Sequence, residues 1–319
     1  MENILKLYWT EISEDARRQF IDANSAFTAW ESARKAAAEV KGGMLWKHQD
    51  GGEYLIRTSP TNAQKSLGRR SDETTAIYEG FKARKEQAEK RLSDLVATLE
   101  RHRRMNRAIL VGRAPVILVE ILNRLYKAGL AEHFTVVGTH ALYAYEATAG
   151  VRFREAALAT QDVDLLWDTR KRLVFLTKME TLGTSMLELI RKVDKTFEIR
   201  KDQKYTAVNS QGFEVDIIRR EAIEGDPHPL KMTDAEDEFY AVQAKKAGLL
   251  LAGPRFSSMI VATNGAMARI NTISPLAFAT FKRWMSGAAD RDPLKRERDL
   301  LQAELVEALV EEYLPHLTV

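Results

Sequence analysis

The stretch TQDVDLLWD, residues 160–168, places two carboxylates one residue apart inside an otherwise apolar run. Side chains alternate faces along a strand with period two, so Asp162 and Asp164 are expected on one side and Val163 and Leu165 in the core. Carboxylates that close repel each other and raise at least one pKa unless a cation neutralises them. A hard divalent ion with oxygen ligands does this well. The other reading is a pair of solvent-facing aspartates on an edge strand, where charge blocks strand pairing.

Two neighbouring segments bear on the choice. In HFTVVGTHALYAYEA, Phe134 to Val137 read as a short buried strand, Gly138-Thr139 as a turn, and Ala141 to Ala147 as helix. The glycine therefore falls where backbone can approach a phosphate at a helix N-terminus, and Thr139 can add a hydroxyl donor. A plain strand-to-helix turn explains the same residues. In KYTAVNSQGFEVDIIRR a hairpin is expected to turn at Asn209 to Gly212. Phe213, Val215 and Ile217 then share one face, and Glu214 and Asp216 share the other. If the strand of Asp216 lies beside that of Asp162 and Asp164, three carboxylates converge on one cation site near the Gly138-Thr139 turn.

The order of these pieces, V-G-T-H-A-L at 137–142, T-Q-D-V-D-L-L at 160–166 and F-E-V-D-I-I at 213–218, resembles the DNA polymerase beta-type nucleotidyltransferase superfamily. It is most similar to the bacterial minimal and abortive-infection toxin-type branches. The resemblance spans roughly residues 110–300. It implies that Asp162 and Asp164 hold Mg2+ (or Mn2+) bound to an NTP, and that Asp216 binds the catalytic ion and helps activate an acceptor hydroxyl. Gly138 and Thr139 would contact phosphate. Many members carry two small residues at this turn, whereas this chain has Val137-Gly138-Thr139 followed by His140.

Downstream, TDAEDEFYAVQAKKAGLLL is expected to be helical, and RFSSMIVATNGAMARINTIS to form two strands about Asn264-Gly265. Ser274 and Pro275 cap a helix with an apolar stripe of Phe278, Phe281 and Met285, and a second helix begins at Asp292-Pro293. The resemblance implies that Lys282 on the first helix meets the triphosphate, with Lys295 and Asp299 following as a K-x-x-x-D segment. Read from the residues alone, Lys282 is surface charge and Asp299 an intrahelical partner of Lys295.

Upstream, Ser13 can cap a helix through EDARRQFIDANSAFTAWESARKAAAEV, with Phe20, Phe27 and Trp30 gathered on one side. MLWKHQDGGEYLIRT reads as a hairpin turning at Asp50 to Gly52, QKSLGRRSDET as a basic loop, and Asp72 to about Arg107 as a long helix. The packing face of that helix is expected to be Ile77, Phe81, Ala88, Leu92, Leu95 and Leu99. Lys47, Arg57, Lys65, Arg69, Arg70, Arg101, Arg103, Arg104 and Arg107 offer a phosphate-binding surface, with Trp46 and Tyr54 for stacking. A solvated helix face interleaved with acids accounts for the same helix.

Composition sets the bounds. With 319 residues, 45% of them hydrophobic and 29% charged, the chain has material for more than one packed module. Without cysteine it has neither disulfides nor thiolate metal ligands. The opening MENILKLYWTEISED lacks a basic-then-apolar leader pattern and no membrane span is apparent, so a cytoplasmic location is expected. A net charge of +3 is too small to indicate a nucleic-acid partner unless the basic residues cluster.

The expected fold is therefore α+β. A nucleotidyltransferase-type mixed sheet with flanking helices would occupy 111–225, after an N-terminal helical and hairpin module (1–110, with possible nucleic-acid docking) and before C-terminal strands and helices (226–319) that complete the nucleotide site. The expected activity is metal-dependent transfer of NMP from an NTP to a hydroxyl of RNA, protein or a small molecule. The competing expectation is a non-catalytic protein on the same fold that binds nucleic acid or another partner.

Overall fold

The structure, a computed structural model, describes residues 9–49, 51–158 and 160–317. Most of the N-terminal stretch MENILKLYWTEISED, and Asp50 of the hairpin turn, fall outside them. The fold is mixed α+β and comprises two compact units, one of residues 18–109 and one of residues 1–17 with 110–319.

The first element is the short strand β1 (Trp9–Glu11), followed by helix α1 (Glu14–Glu39), where the Ala16 N–H donates to Ser13 Oγ at 3.3 Å. In the unit of residues 18–109, β2 (Gly43–Gln49), β3 (Gly52–Thr58) and β4 (Gln64–Arg69) form an antiparallel sheet, and α2 spans Asp72–Ala108. The basic loop expected at residues 64–74 is in fact strand β4 and the start of α2. Gln64 to Arg69 pair with β3 through a register shift at Leu55/Ile56, and backbone pairing there prevails over polar composition. A capping box of Ser71 and Thr74 starts α2. Of its expected packing face Phe81 is buried, but Ile77 is 39% exposed.

The sheet also sorts the basic residues. Arg57 donates to the Gly43, Thr58 and Lys41 carbonyls and lies over the Phe81 ring, so it serves the fold. Arg70 pairs with Glu53 and covers Trp46, which also lies against the Tyr78 ring. Lys47, Tyr54 and Arg69 stand in one cross-strand row, and Lys47, Lys65 and Arg69 are exposed. Residues 18–109 carry 18 Lys and Arg against 12 Asp and Glu, a net +6 that the rest of the chain reduces to +3. The positive charge is thus concentrated in this unit.

In the other unit α3 (Val116–Lys127) precedes β5 (Phe134–Val137), and α4 (Leu142–Ala149) leads to β6 (Val151–Phe153), which pairs with β1. Then come β7 (Asp162–Trp167), α5 (Arg172–Leu182), α6 (Met186–Arg191), β8 (Glu198–Ile199), β9 (Thr206–Val208) and β10 (Glu214–Arg220). Strands β11 (Leu230–Lys231) and β12 (Tyr240–Ala244), α7 (Ala247–Ala252), β13 (Arg255–Val261) and β14 (Met267–Ile273) follow, and α8 (Pro275–Ser286) and α9 (Pro293–Tyr313) close the fold. The main sheet runs β11-β12-β10-β7-β5-β14-β13 and is mixed: β10 is parallel to β7 and β12, while β5 is antiparallel to β7.

The helix expected over residues 233–251 is a correction. Tyr240–Ala244 instead extend the sheet in parallel with β10, and only Ala247–Ala252 are helical. Phe239 and Ala241 are buried, a period-two pattern that helix-favouring acids and alanines upstream had obscured. The hairpin at Asn264-Gly265 is present, as is the Ser274 cap with Pro275 at the first helical turn. Beneath the acids, Val163, Leu165, Val215 and Ile217 are fully buried. Their burial, at about 1.5–3 kcal/mol per side chain, favours pairing of the two strands and opposes the carboxylate repulsion on their other face.

Candidate active site

The carboxylates meet because β7 and β10 are adjacent, parallel and in register. Asp216 pairs with Asp164 and Glu214 with Asp162, so the acids share one face while Val163, Val215 and Ile217 pack on the other. One oxygen from each of Asp162, Asp164 and Asp216 lies within 4.8 Å of the others. Thr160 donates a hydrogen bond to Asp162, and Thr206, on β9, donates one to Asp216.

The charge of this cluster is costly as it stands. Burial, then the nearby Asp162 and Asp216, push the Asp164 carboxyl up to about 7, against the pull of Lys282 and Arg291. Burial also raises Asp216, with Asp162 and Glu214 adding to it, while the Thr206 hydrogen bond and Arg200 oppose. Three convergent oxygen donors with this unmet demand for positive charge fit a hard divalent cation. Such an ion competes with the Asp164 proton. Its apparent affinity is therefore expected to fall about tenfold per pH unit below 7 and to level off above, measurable by calorimetry between about pH 5 and 8.

Gly138 follows β5, whose Val137 pairs with Asp164. Its φ is +71°, and a Cβ there would sit 2.3 Å from Asp164 Oδ2. Only glycine lets the turn come this close to the carboxylate. Thr139 and His140 are buried in the 3-10 turn that leads into α4. His140 is held neutral by burial, its pKa lowered to about 4, and its Nδ1 lies 2.9 Å from the Asp162 carbonyl oxygen. The neutral ring donates this N–H and so ties the turn to the first residue of β7, a role that the sequence alone did not suggest. Among the described residues its Nε2 finds no hydrogen-bond partner.

Two helices close over this face. Lys282 of α8 is only 4% exposed, and its ammonium donates to Asp299 Oδ1 of α9 at 2.7 Å. Arg291 donates to the other Asp299 oxygen through Nε at 2.8 Å and Nη2 at 2.7 Å. Lys282 is thus no surface charge, and Asp299 is bonded across helices to Lys282 and Arg291. Lys295 is exposed. Burial lowers the Lys282 pKa, while Asp299 and Asp164 hold it up. One turn beyond Asp299, the fully buried Gln302 donates from Nε2 to Thr139 Oγ1 at 3.2 Å and to the Ala157 carbonyl at 2.6 Å. Because the amide fills an acceptor site of the Thr139 oxygen, the hydroxyl proton is left to donate elsewhere. Only a polar residue recurring at i and i+3 on an otherwise apolar helix face signalled Gln302 in the sequence.

A mixed sheet thus carries an Asp-x-Asp strand, a third Asp on the adjacent parallel strand and a glycine turn against them, an arrangement consistent with a metal site. Residues 117–319 match the model of the family described as Nucleotidyltransferase, and the chain belongs to that family. This is consistent with the polymerase beta-type superfamily. No curated protein and no solved structure matches the chain significantly. Among the described residues no helix is long and apolar enough to cross a membrane.

Proposed function

We propose that the chain transfers a nucleoside monophosphate from an NTP to an acceptor hydroxyl in a reaction that needs Mg2+ or Mn2+ held by Asp162, Asp164 and Asp216. The observation that carries this reading is the convergence of the three carboxylates beside Gly138, faced by the Lys282–Asp299–Arg291 cluster. The acceptor oxygen bonds to the α-phosphorus, the bond to the bridging oxygen of the β-phosphate breaks, and pyrophosphate leaves. When bound, the metal neutralises charge on the attacked phosphate and on the leaving group. Asp216 orients the acceptor hydroxyl and takes up its proton, and the Thr139 hydroxyl, set as a donor by Gln302, holds a phosphate oxygen. Lys282 and Arg291 supply positive charge towards pyrophosphate, where charge grows as the bond breaks. Within the superfamily, the motifs resemble the bacterial minimal and abortive-infection toxin-type branches.

Titration of the purified protein with each NTP, with and without Mg2+, tests this. Nucleotide binding that needs the metal supports transfer. Binding of RNA that is indifferent to metal and NTP supports a docking protein instead.

RNA is the acceptor class that the charge distribution favours, because the net +6 of residues 18–109 includes the exposed Lys47, Lys65 and Arg69 around Tyr54. Arg101, Arg103, Arg104 and Arg107 at the end of α2 are also exposed. If they touch phosphates, replacing all four is expected to flatten the salt dependence of single-stranded RNA binding by about 0.7 slope units for each phosphate no longer neutralised. An unchanged slope returns them to a solvated helix face.

A further inference from the structure

A groove of about 270 Å3 lies between α8 and the end of β12, lined by Ala244, Lys245, Phe281, Trp284, Met285, Ala288, Asp290 and Arg291. Three observations connect it with the acids. Asp216, Ile218 and Arg220 alternate onto one face of β10, and Arg220 pairs in parallel register with Ala244, so the groove floor lies on the acid face of the sheet. At about 3.3 Å per residue, Ala244 is displaced from the level of Asp216 by roughly 13 Å along the strands, within reach of one nucleotide. Arg291, in the groove wall, bonds to the same Asp299 that holds Lys282.

The lining has a definite chemistry. Phe281, Trp284, Met285 and Ala288 recur at i, i+3, i+4 and i+7 and present one stripe of α8 and its exit. The Phe281 and Trp284 rings are 5.6 Å apart, and the Lys246 ammonium sits 4.5 Å from the Trp284 ring centroid. At the rim, the exposed Lys245 and Asp290 pair with each other at 3.2 Å beside this aromatic wall, and opening that pair offers a donor and an acceptor. None of these residues is required by the three-acid centre. A planar ring system with hydrogen-bonding edges matches this combination better than a purely apolar ligand. The space suits one such ring and not a whole nucleotide.

We infer that this groove binds a nucleobase of the transfer reaction, with Trp284 as the stacking residue and Lys245 and Asp290 at the base edge. The inference rests on the transfer reading above. The base belongs either to the incoming NTP or to a nucleic-acid acceptor, and the two give different results.

The test uses the full chain with Mg2+ and three probes: each NTP in turn, inorganic tripolyphosphate, and a short single-stranded RNA. In Trp284→Leu the tightest NTP is expected to bind about tenfold more weakly while tripolyphosphate, which has no base to stack, binds as in the parent. Trp284→Phe, which keeps an aromatic face, is expected to stay within about threefold of the parent and shows that the helix still packs. Weakened RNA binding with unchanged NTP binding also supports a nucleobase groove and assigns the base to the acceptor. NTP and RNA affinities both unchanged in Trp284→Leu overturn the inference. So does equal weakening of NTP and tripolyphosphate, which would make the effect general to the site. A parent protein that binds neither NTP nor tripolyphosphate with metal refutes the transfer reading itself, and the groove assignment falls with it.

Discussion

Asp164→Asn is expected to lower nucleotide transfer by roughly 10²–10³-fold or more while leaving the fold intact. The substitution removes a negative charge at nearly constant volume from the middle of the three-carboxylate cluster. Without metal, the folded-state pKa of about 7 lies above the unfolded value of about 3.9, so the contribution of Asp164 to stability is fully present in acid and is lost as pH rises through 7. Asparagine carries none of that electrostatic cost. The variant should therefore be more stable than the parent at pH 8, by roughly 4 kcal/mol at the limit, and so melt higher, and the two should converge towards pH 4. Thermal melts at both pH values, with EDTA, check this. A variant that is fully active, or that is less stable than the apo parent at pH 8, would remove the carboxylate-metal account.

The second large effect concerns the cation cluster. Lys282→Met leaves Asp299, which is fully buried, with Arg291 as its remaining partner among the cations described above. Breaking a buried pair from one side costs about 3–5 kcal/mol, and the ammonium proposed to face the departing phosphates goes with it. Both melting temperature and turnover should fall, with Lys282→Arg restoring part of each because a planar fork cannot place its charge where the ammonium sat. Stability and catalysis can be separated. Pairing Lys282→Met with Asp299→Leu replaces the ion pair by apolar packing, which should recover part of the stability and none of the turnover. If the double variant regains transfer, the pair serves packing alone.

How much of the fold and site is legible in the sequence follows from which signals are local. Alternation of apolar and acidic residues is enough to put Asp162, Asp164 and Asp216 on common strand faces, and turn chemistry marks Gly138, Asn264-Gly265 and Ser274-Pro275. Strand order is not local. That Asp216 lies opposite Asp164, and that Tyr240–Ala244 join the same sheet, depends on pairing partners that no single segment encodes. The third case is the polar residues of the buried helix faces. Lys282, Asp299 and Gln302 look like surface residues in isolation, because charge normally seeks water. Only the packing of α8 and α9 reveals that Lys282 and Asp299 satisfy one another and that Gln302 reaches Thr139. In the N-terminal unit Arg57 and Arg70 illustrate the converse, since basic residues that composition assigns to a ligand surface are used by backbone carbonyls, Glu53 and aromatic rings.

The most direct test of the central claim incubates the chain with Mg2+, NTPs labelled at either the α- or the γ-phosphate, and a cleared lysate containing RNA, proteins and small molecules. The account expects the α-label to appear on an acceptor and the γ-label to leave as pyrophosphate, both lost on chelation and in Asp164→Asn. Transfer of the γ-label, release of NMP or phosphate with no labelled acceptor, or equal activity in Asp164→Asn would contradict it.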